Sequence, residues 1–214
     1  MEIIAKSLNE PHISIMSGKL YGLMAINTDT VSNIFCQRMN ETGNSICTFC
    51  YSMNALKKHR KNCRPAFMGN SELLSQSILQ PSQIPFINQS YFRFHGHGEL
   101  INMNHLFNLV LIARKNPHCT FALWTKRKDF IKRLFDKQHD ISIPKGVPNN
   151  MILVYSNPKI DCVQIEPPVH FHKVFNNVSH GGYKNENCTG QKCIECLACY
   201  KKDSGIDSII ERVK

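Results

Sequence analysis

Hydrophobic positions in the middle of the chain fall into short blocks that alternate with longer periodic stretches. Tyr91-Phe-Arg-Phe-His95 has the length and residue types of a strand, ending at Gly96-His-Gly-Glu99. Ile101 to Lys115 is a largely apolar helical stretch, stopped at Pro117. Thr120-Phe-Ala-Leu-Trp124 predicts a second strand, and Arg127 to about Lys137 an amphipathic helix with Phe130, Ile131, Leu134 and Phe135 on one side. Met151-Ile-Leu-Val-Tyr155 predicts a third strand, with shorter ones at Cys162 to Ile165 and Val169 to Phe175. Strands alternating with helices imply a parallel sheet, and short apolar strands fit burial on both faces. Ligands of such sheets sit beyond the carboxyl ends of the strands. That rule gathers Gly96 to Glu99, Thr125 to Lys126 and Ser156 to Asn157 around one mouth.

The flanks are patterned differently. Residues 12 to 28 alternate loosely through Ile13, Ile15, Leu20, Leu23 and Ala25, as short strands or an edge hairpin would. Thr28 to Ser45 has the composition of a loop, Tyr51 to Lys61 that of a helix, and Ser71 to Leu79 that of a second helix capped by Asn70. The last forty residues turn at Gly181-Gly182 into a polar, cysteine-rich stretch, and a short helix is expected at Ile206 to Val213. The expected organisation is residues 1–178 as a partial β/α barrel and 179–214 as a small cysteine-rich C-terminal lobe.

Composition alters this picture at one point. With 42% hydrophobic and 20% charged residues the chain is ordinary for a globular protein, but it carries ten cysteines. Met1 to Asn9 holds no apolar signal region, and no run of apolar residues is long enough to span a membrane. A reduced, cytoplasmic setting with metal-bound cysteines follows, rather than a disulfide framework. Cys36, Cys47 and Cys50 supply three thiolates and leave a position open on a metal centre; Cys188, Cys193, Cys196 and Cys199, as C-x4-C-x2-C-x2-C, are enough to close one. Zinc competes with an iron–sulfur cluster at both places, and Cys63 or His59 is a possible fourth ligand of the first. Cys119 and Cys162, in apparent strands, are expected to be buried small hydrophobes.

The three-cysteine loop followed by an aromatic, then a parallel β/α array with a glycine-acid element after the next strand, resembles the radical-SAM enzymes. It is most similar to the phage-associated gene product 88 family. The resemblance is carried by Cys36 with Ser45-Ile-Cys-Thr-Phe-Cys-Tyr51, by Arg93-Phe-His-Gly-His-Gly-Glu99, by Leu123-Trp-Thr-Lys126, and by Asn187 to Tyr200 with its four cysteines. It implies a 4Fe–4S cluster on Cys36, Cys47 and Cys50, with the open iron taking the amino and carboxylate groups of S-adenosylmethionine. Tyr51 would lie against the adenine, and Gly96, His97, Gly98 and Glu99 would meet the methionine ammonium. Reduction of the cluster by an electron donor would then yield a 5′-deoxyadenosyl radical for an unspecified substrate. The first two cysteines are ten residues apart here rather than three, which departs from the usual spacing of such enzymes.

Two other readings stand beside this one. The chain could be a non-catalytic iron–sulfur electron carrier or redox sensor. Alternatively, its net charge of +10, with basic runs at Lys57 to Lys61 and Lys126 to Arg133, suits a zinc-stapled protein that binds nucleic acid. Arg93 is expected to face the sheet interior and pair with Glu99 or another acid.

Overall fold

A computed structural model describes residues 10–136, 146–179 and 183–213. Met1 to Asn9, Lys137 at the end of an expected helix, and Gly181-Gly182 lie outside the described residues. The described chain is α/β, with seven strands in one mostly parallel sheet. The strands are β1 (Ile13–Ile15), β2 (Met24–Ile26), β3 (Tyr91–Phe94), β4 (Thr120–Thr125), β5 (Met151–Ile160), β6 (Lys173–Val178) and β7 (Ser208–Arg212). Spatial order equals chain order. The β1–β2 pair is antiparallel, the edge hairpin expected from residues 12 to 28, and every later pair is parallel. The winding never reverses, as in a β/α barrel and unlike a doubly wound sheet.

Alternation along each strand sorts side chains to two faces. Phe92, Phe94, Phe121, Leu123, Met151 and Leu153 enter the larger core. There they meet Leu74 of α3 (Arg64–Gln76), Leu106 and Val110 of α4 (Met103–Lys115) and Ile131 of α5 (Lys128–Phe135). Ala122, Trp124, Ile152 and Val154 face the other way and pack with Leu23 and Tyr200. Cys193, Ile194, Leu197 and Cys199 border that second core. The C-terminal segment therefore lies across the sheet face opposite the helices.

Several local expectations change. Thr28 to Ser45 contains a helix, α1 (Ile34–Glu41), which begins because the Asn33 side chain accepts from the Phe35 and Cys36 amides at 3.0 and 3.3 Å. The helix expected from Tyr51 to Lys61 stops early, as α2 (Tyr51–Lys57). Pro65 sits in the first turn of α3, where its missing N–H costs nothing, so it starts a helix rather than ending one. Asn70 is no cap: it is buried within α3 and bridges the backbone of His12 and Asn27.

The chain from Cys162 to Ile165 is not a strand. β5 ends at Ile160, Asp161 turns with φ of +58°, and Cys162 is exposed rather than buried. Cys119, just before β4, is buried as expected. The closing helix is instead β7, because five residues carrying an apolar pair satisfy either period and the free edge of β6 supplies partners for their backbone.

Candidate functional site

The loop Asn27–Asn33 leaves β2 and is polar yet buried: Asn27, Thr28 and Asp29 are 0% exposed. Most of its groups are bonded, although the buried Thr28 hydroxyl has no partner among the described residues. Asp29 accepts from Arg64 at 3.3 Å and from the Ser32 amide at 2.9 Å, and the Thr30 hydroxyl meets Ser52 at 2.5 Å. This loop presses on Gly96 and Gly98 after β3. A Cβ on Gly98 would lie 2.0 Å from Thr28 Oγ1 and 2.7 Å from its carbonyl, and Gly98 has φ of +96°. A Cβ on Gly96 would meet Met16 at 2.4 Å and Asn27 Oδ1 at 2.9 Å. The two glycines exist so that two loops can touch.

Asn33 joins the first cysteine to the glycine-acid element. Its Oδ1 caps the helix that carries Cys36, while its Nδ2 donates to the Glu99 carbonyl at 3.0 Å. Cys47 lies in a tight turn at Ile46–Phe49 that Cys50 closes, its amide donating to the Cys47 carbonyl at 3.1 Å. Asn40 of α1 donates to the same carbonyl at 2.6 Å, docking the turn on the Cys36 helix. Ser45 bridges Lys159 at the end of β5. All three cysteines are thus fastened at the carboxyl end of the sheet.

Glu99 is buried and held on both oxygens. Oε1 accepts from the Leu100 amide at 2.8 Å and the Thr125 hydroxyl at 2.5 Å; Oε2 accepts from the Lys126 amide at 2.8 Å. The Lys126 side chain reaches Ser156 at 3.2 Å. Burial works against its ammonium, but Cys47, Glu99, Cys36 and Cys50 outweigh burial and raise its pKa. Burial also pushes the Cys36 thiol well up, with Glu99 adding to the rise and Lys126 opposing it. Lys126 is therefore the cation that these thiols face, not part of a solvated surface run. Arg127 beside it is also engaged, over the Phe130 ring at 3.4 Å and paired with Asp129 at 2.7 Å.

The other expected contacts divide. Tyr51 donates from its hydroxyl to the Gly96 carbonyl while the residue as a whole is exposed. The His97 side chain is buried and engaged on both ring nitrogens. Its ring lies between Tyr51 and Phe67, and its Nδ1 meets Ser52 at 2.7 Å. Arg60 stands 3.5 Å from its Nε2, and burial, with Arg60 and Arg93 nearby, lowers its pKa to about 4. Asn157 spends its side chain on the Cys162 carbonyl and Asn176. Arg93 does not pair with Glu99: its guanidinium lies 3.6 Å over the Trp124 ring and donates to the His95 carbonyl at 3.3 Å. His59 is exposed at the end of α2, and Cys63 belongs to the turn entering α3.

Cys188, Cys193, Cys196 and Cys199 line one cavity together with Leu197, Ala198 and Ile209; its empty volume is about 370 Å³, including space open to solvent. Cys193 and Cys196 are the first and last residues of α6 (Cys193–Cys196), and Leu197, with φ of +53°, turns the chain so that Cys199 comes round to the same cavity. Cys199 is pushed up to about 12 by burial, with the Arg93 guanidinium opposing. Among the described residues, no three His, Cys, Asp or Glu side chains are grouped as a site for a metal ion.

Asn33 and the Asn27–Asp29 loop are absent from the residues that sequence reasoning selected. The available signal was an asparagine three positions before Cys36, the spacing of a helix cap. No protein-family model, curated protein or solved structure matches the chain.

Proposed function

We propose that this chain is a radical-SAM-like iron–sulfur protein of the gene product 88 type, working in the cytoplasm. Cys36, Cys47 and Cys50 would hold a 4Fe–4S cluster with one iron free for S-adenosylmethionine, and Cys188, Cys193, Cys196 and Cys199 a second cluster. The observation that carries this reading is the double role of Asn33, which ties the Cys36 helix to Glu99 at the carboxyl end of a parallel sheet. The donor sets suit the groups: three thiols beside a half-buried cation at one site, four thiols around a largely apolar cavity at the other.

When bound and reduced by an electron donor, the first cluster would supply the electron for sulfonium cleavage. The chain's own residues bind and position. Glu99, fixed by two backbone amides and Thr125, offers its carboxylate to the methionine ammonium. Lys126 places a positive charge beside the three thiolates and offsets part of their repulsion. Tyr51, anchored at Gly96, presents its ring to the adenine. His97 acts from behind, packing α2 and α3 against the loop that carries Glu99.

The test is iron, sulfide and zinc analysis of protein purified without oxygen, followed by electron paramagnetic resonance of the reduced protein with and without S-adenosylmethionine. Iron and sulfide with a signal that shifts on adding S-adenosylmethionine support the proposal. Zinc without iron rejects it. Iron with no response leaves a cluster protein that carries electrons or senses redox state.

A further inference from the structure

We infer that Lys19 is a positioning residue of the C-terminal four-cysteine centre, donating to the Cys188 sulfur. The inference rests on the reading of that set as a metal centre. Lys19 lies in the turn Gly18–Leu20 between β1 and β2, yet its Nζ reaches Cys188 Sγ at 3.3 Å, across 169 positions of sequence. Glu211 of β7 holds the same ammonium in an ion pair, and both side chains are about three-quarters buried, at 26% and 23% exposure.

The three groups are fixed by backbone rather than by chance meeting of long side chains. Cys188 forms a bridge with Glu211, and its amide donates to the Ile210 carbonyl at 3.0 Å. Sulfur and carboxylate thus stand side by side on one rail, and the lysine spans both. The hairpin bearing Lys19 is also seated on the cysteine segment. Gly22 comes so near Ile194 that an added Cβ would lie 3.2 Å from its Cγ2, and Leu20 joins the core bordered by Cys193 and Cys199.

Charge gives the contact its purpose. Four thiolates around a doubly positive centre, zinc or a 4Fe–4S core, leave roughly −2. Lys19 meets this charge at Cys188, while Arg93 acts on Cys193 and Cys199. Potentials of iron–sulfur centres follow their net charge and the hydrogen bonds to their sulfurs. Loss of the Lys19 donor makes the more negative, reduced state costlier and lowers the potential.

The experiment uses the full chain carrying Cys47→Ala, so that the C-terminal centre is observed alone, and compares it with the same chain carrying Lys19→Met or Lys19→Arg. Iron, sulfide and zinc are measured, and the midpoint potential is followed by electron paramagnetic resonance. The expected result is a lower midpoint for Lys19→Met, with Lys19→Arg restored toward the parent. Loss of the centre in Lys19→Met but not in Lys19→Arg also supports the role. A filled centre with an unchanged midpoint in Lys19→Met overturns it. Should the parent hold zinc there, the iron–sulfur reading of this site fails by itself, and Lys19 is judged by zinc transfer to a chelator. Faster transfer from Lys19→Met than from Lys19→Arg then supports it, and equal rates overturn it. A parent with neither metal overturns both.

Discussion

Asn33 and Gly98 show how much a single side chain, or its absence, decides in this protein. Replacing Asn33 with Ala removes a helix cap, which costs about 1 kcal/mol, and also cuts the bond to the Glu99 carbonyl. The expected outcome is a small loss of stability but a marked loss of iron at the N-terminal site with the C-terminal site spared, read by iron content and spectrum in the two sites. Gly98→Ala meets Thr28 within hard contact and strains a positive φ, so a loss of ~2 kcal/mol or more is expected in a urea titration. Gly96 to Glu99 stood out in the sequence because two glycines and an acid follow a strand. The reason for the glycines did not, because Thr28 is seventy residues away and its approach is a tertiary contact.

At the scale of elements, the sheet is held by buried amides as well as by apolar packing. Asn176 on β6 is 0% exposed and accepts from Asn157 and the Gln164 amide, both at 3.0 Å, while donating to the Gln164 carbonyl at 2.9 Å and Ser208 at 3.1 Å. It joins β5, the connection after it, and β7. Asn176→Leu leaves those partners buried without a bond and is expected to cost about 2–4 kcal/mol, with faster amide exchange concentrated in residues 204–213. β4 and α4 were legible because each is a long enough apolar run with its own period, and the four residues of β3 because aromatic side chains are followed at once by Gly96 and Gly98. β7 was misread as a helix, since a run of five residues fits both periods and the free edge of β6 made the choice.

For the whole molecule, two features set behaviour. The first is a set of histidines held neutral. The Ile101 amide donates to His105 Nδ1 at 3.3 Å, which leaves His105 Nε2–H to donate to His95 Nε2 and His95 Nδ1–H to the Trp124 carbonyl, each also at 3.3 Å. Burial lowers the pKa of both rings, and burial lowers that of His172 to about 4. These pKa values lie below that of an unfolded histidine, so the unfolded chain binds more protons in acid. Their stabilising effect is complete above about pH 6.5 and declines as pH falls toward 4; the unfolding free energy from denaturant titrations should be lower at about pH 5 than at about pH 7.5, by ~1–2 kcal/mol for His172 alone. The second feature is the placing of the two cysteine sets on different parts of the fold, proposed above as two iron–sulfur centres. Cys47→Ala or Cys50→Ala is expected to remove about half of the iron while leaving the C-terminal centre spectroscopically intact; loss of both together would contradict two independent centres.

The sequence alone determined the alternation of strands and helices, the hairpin at the start and the candidate ligand positions, because period and residue type are local properties. Tertiary structure decided which of these groups meet. The α1 cap reaches Glu99, the C-terminal cysteines lie across the second face of the sheet, and Lys19 meets Cys188, because pairs far apart in the chain are chosen by the assembly of the sheet and not by any local preference.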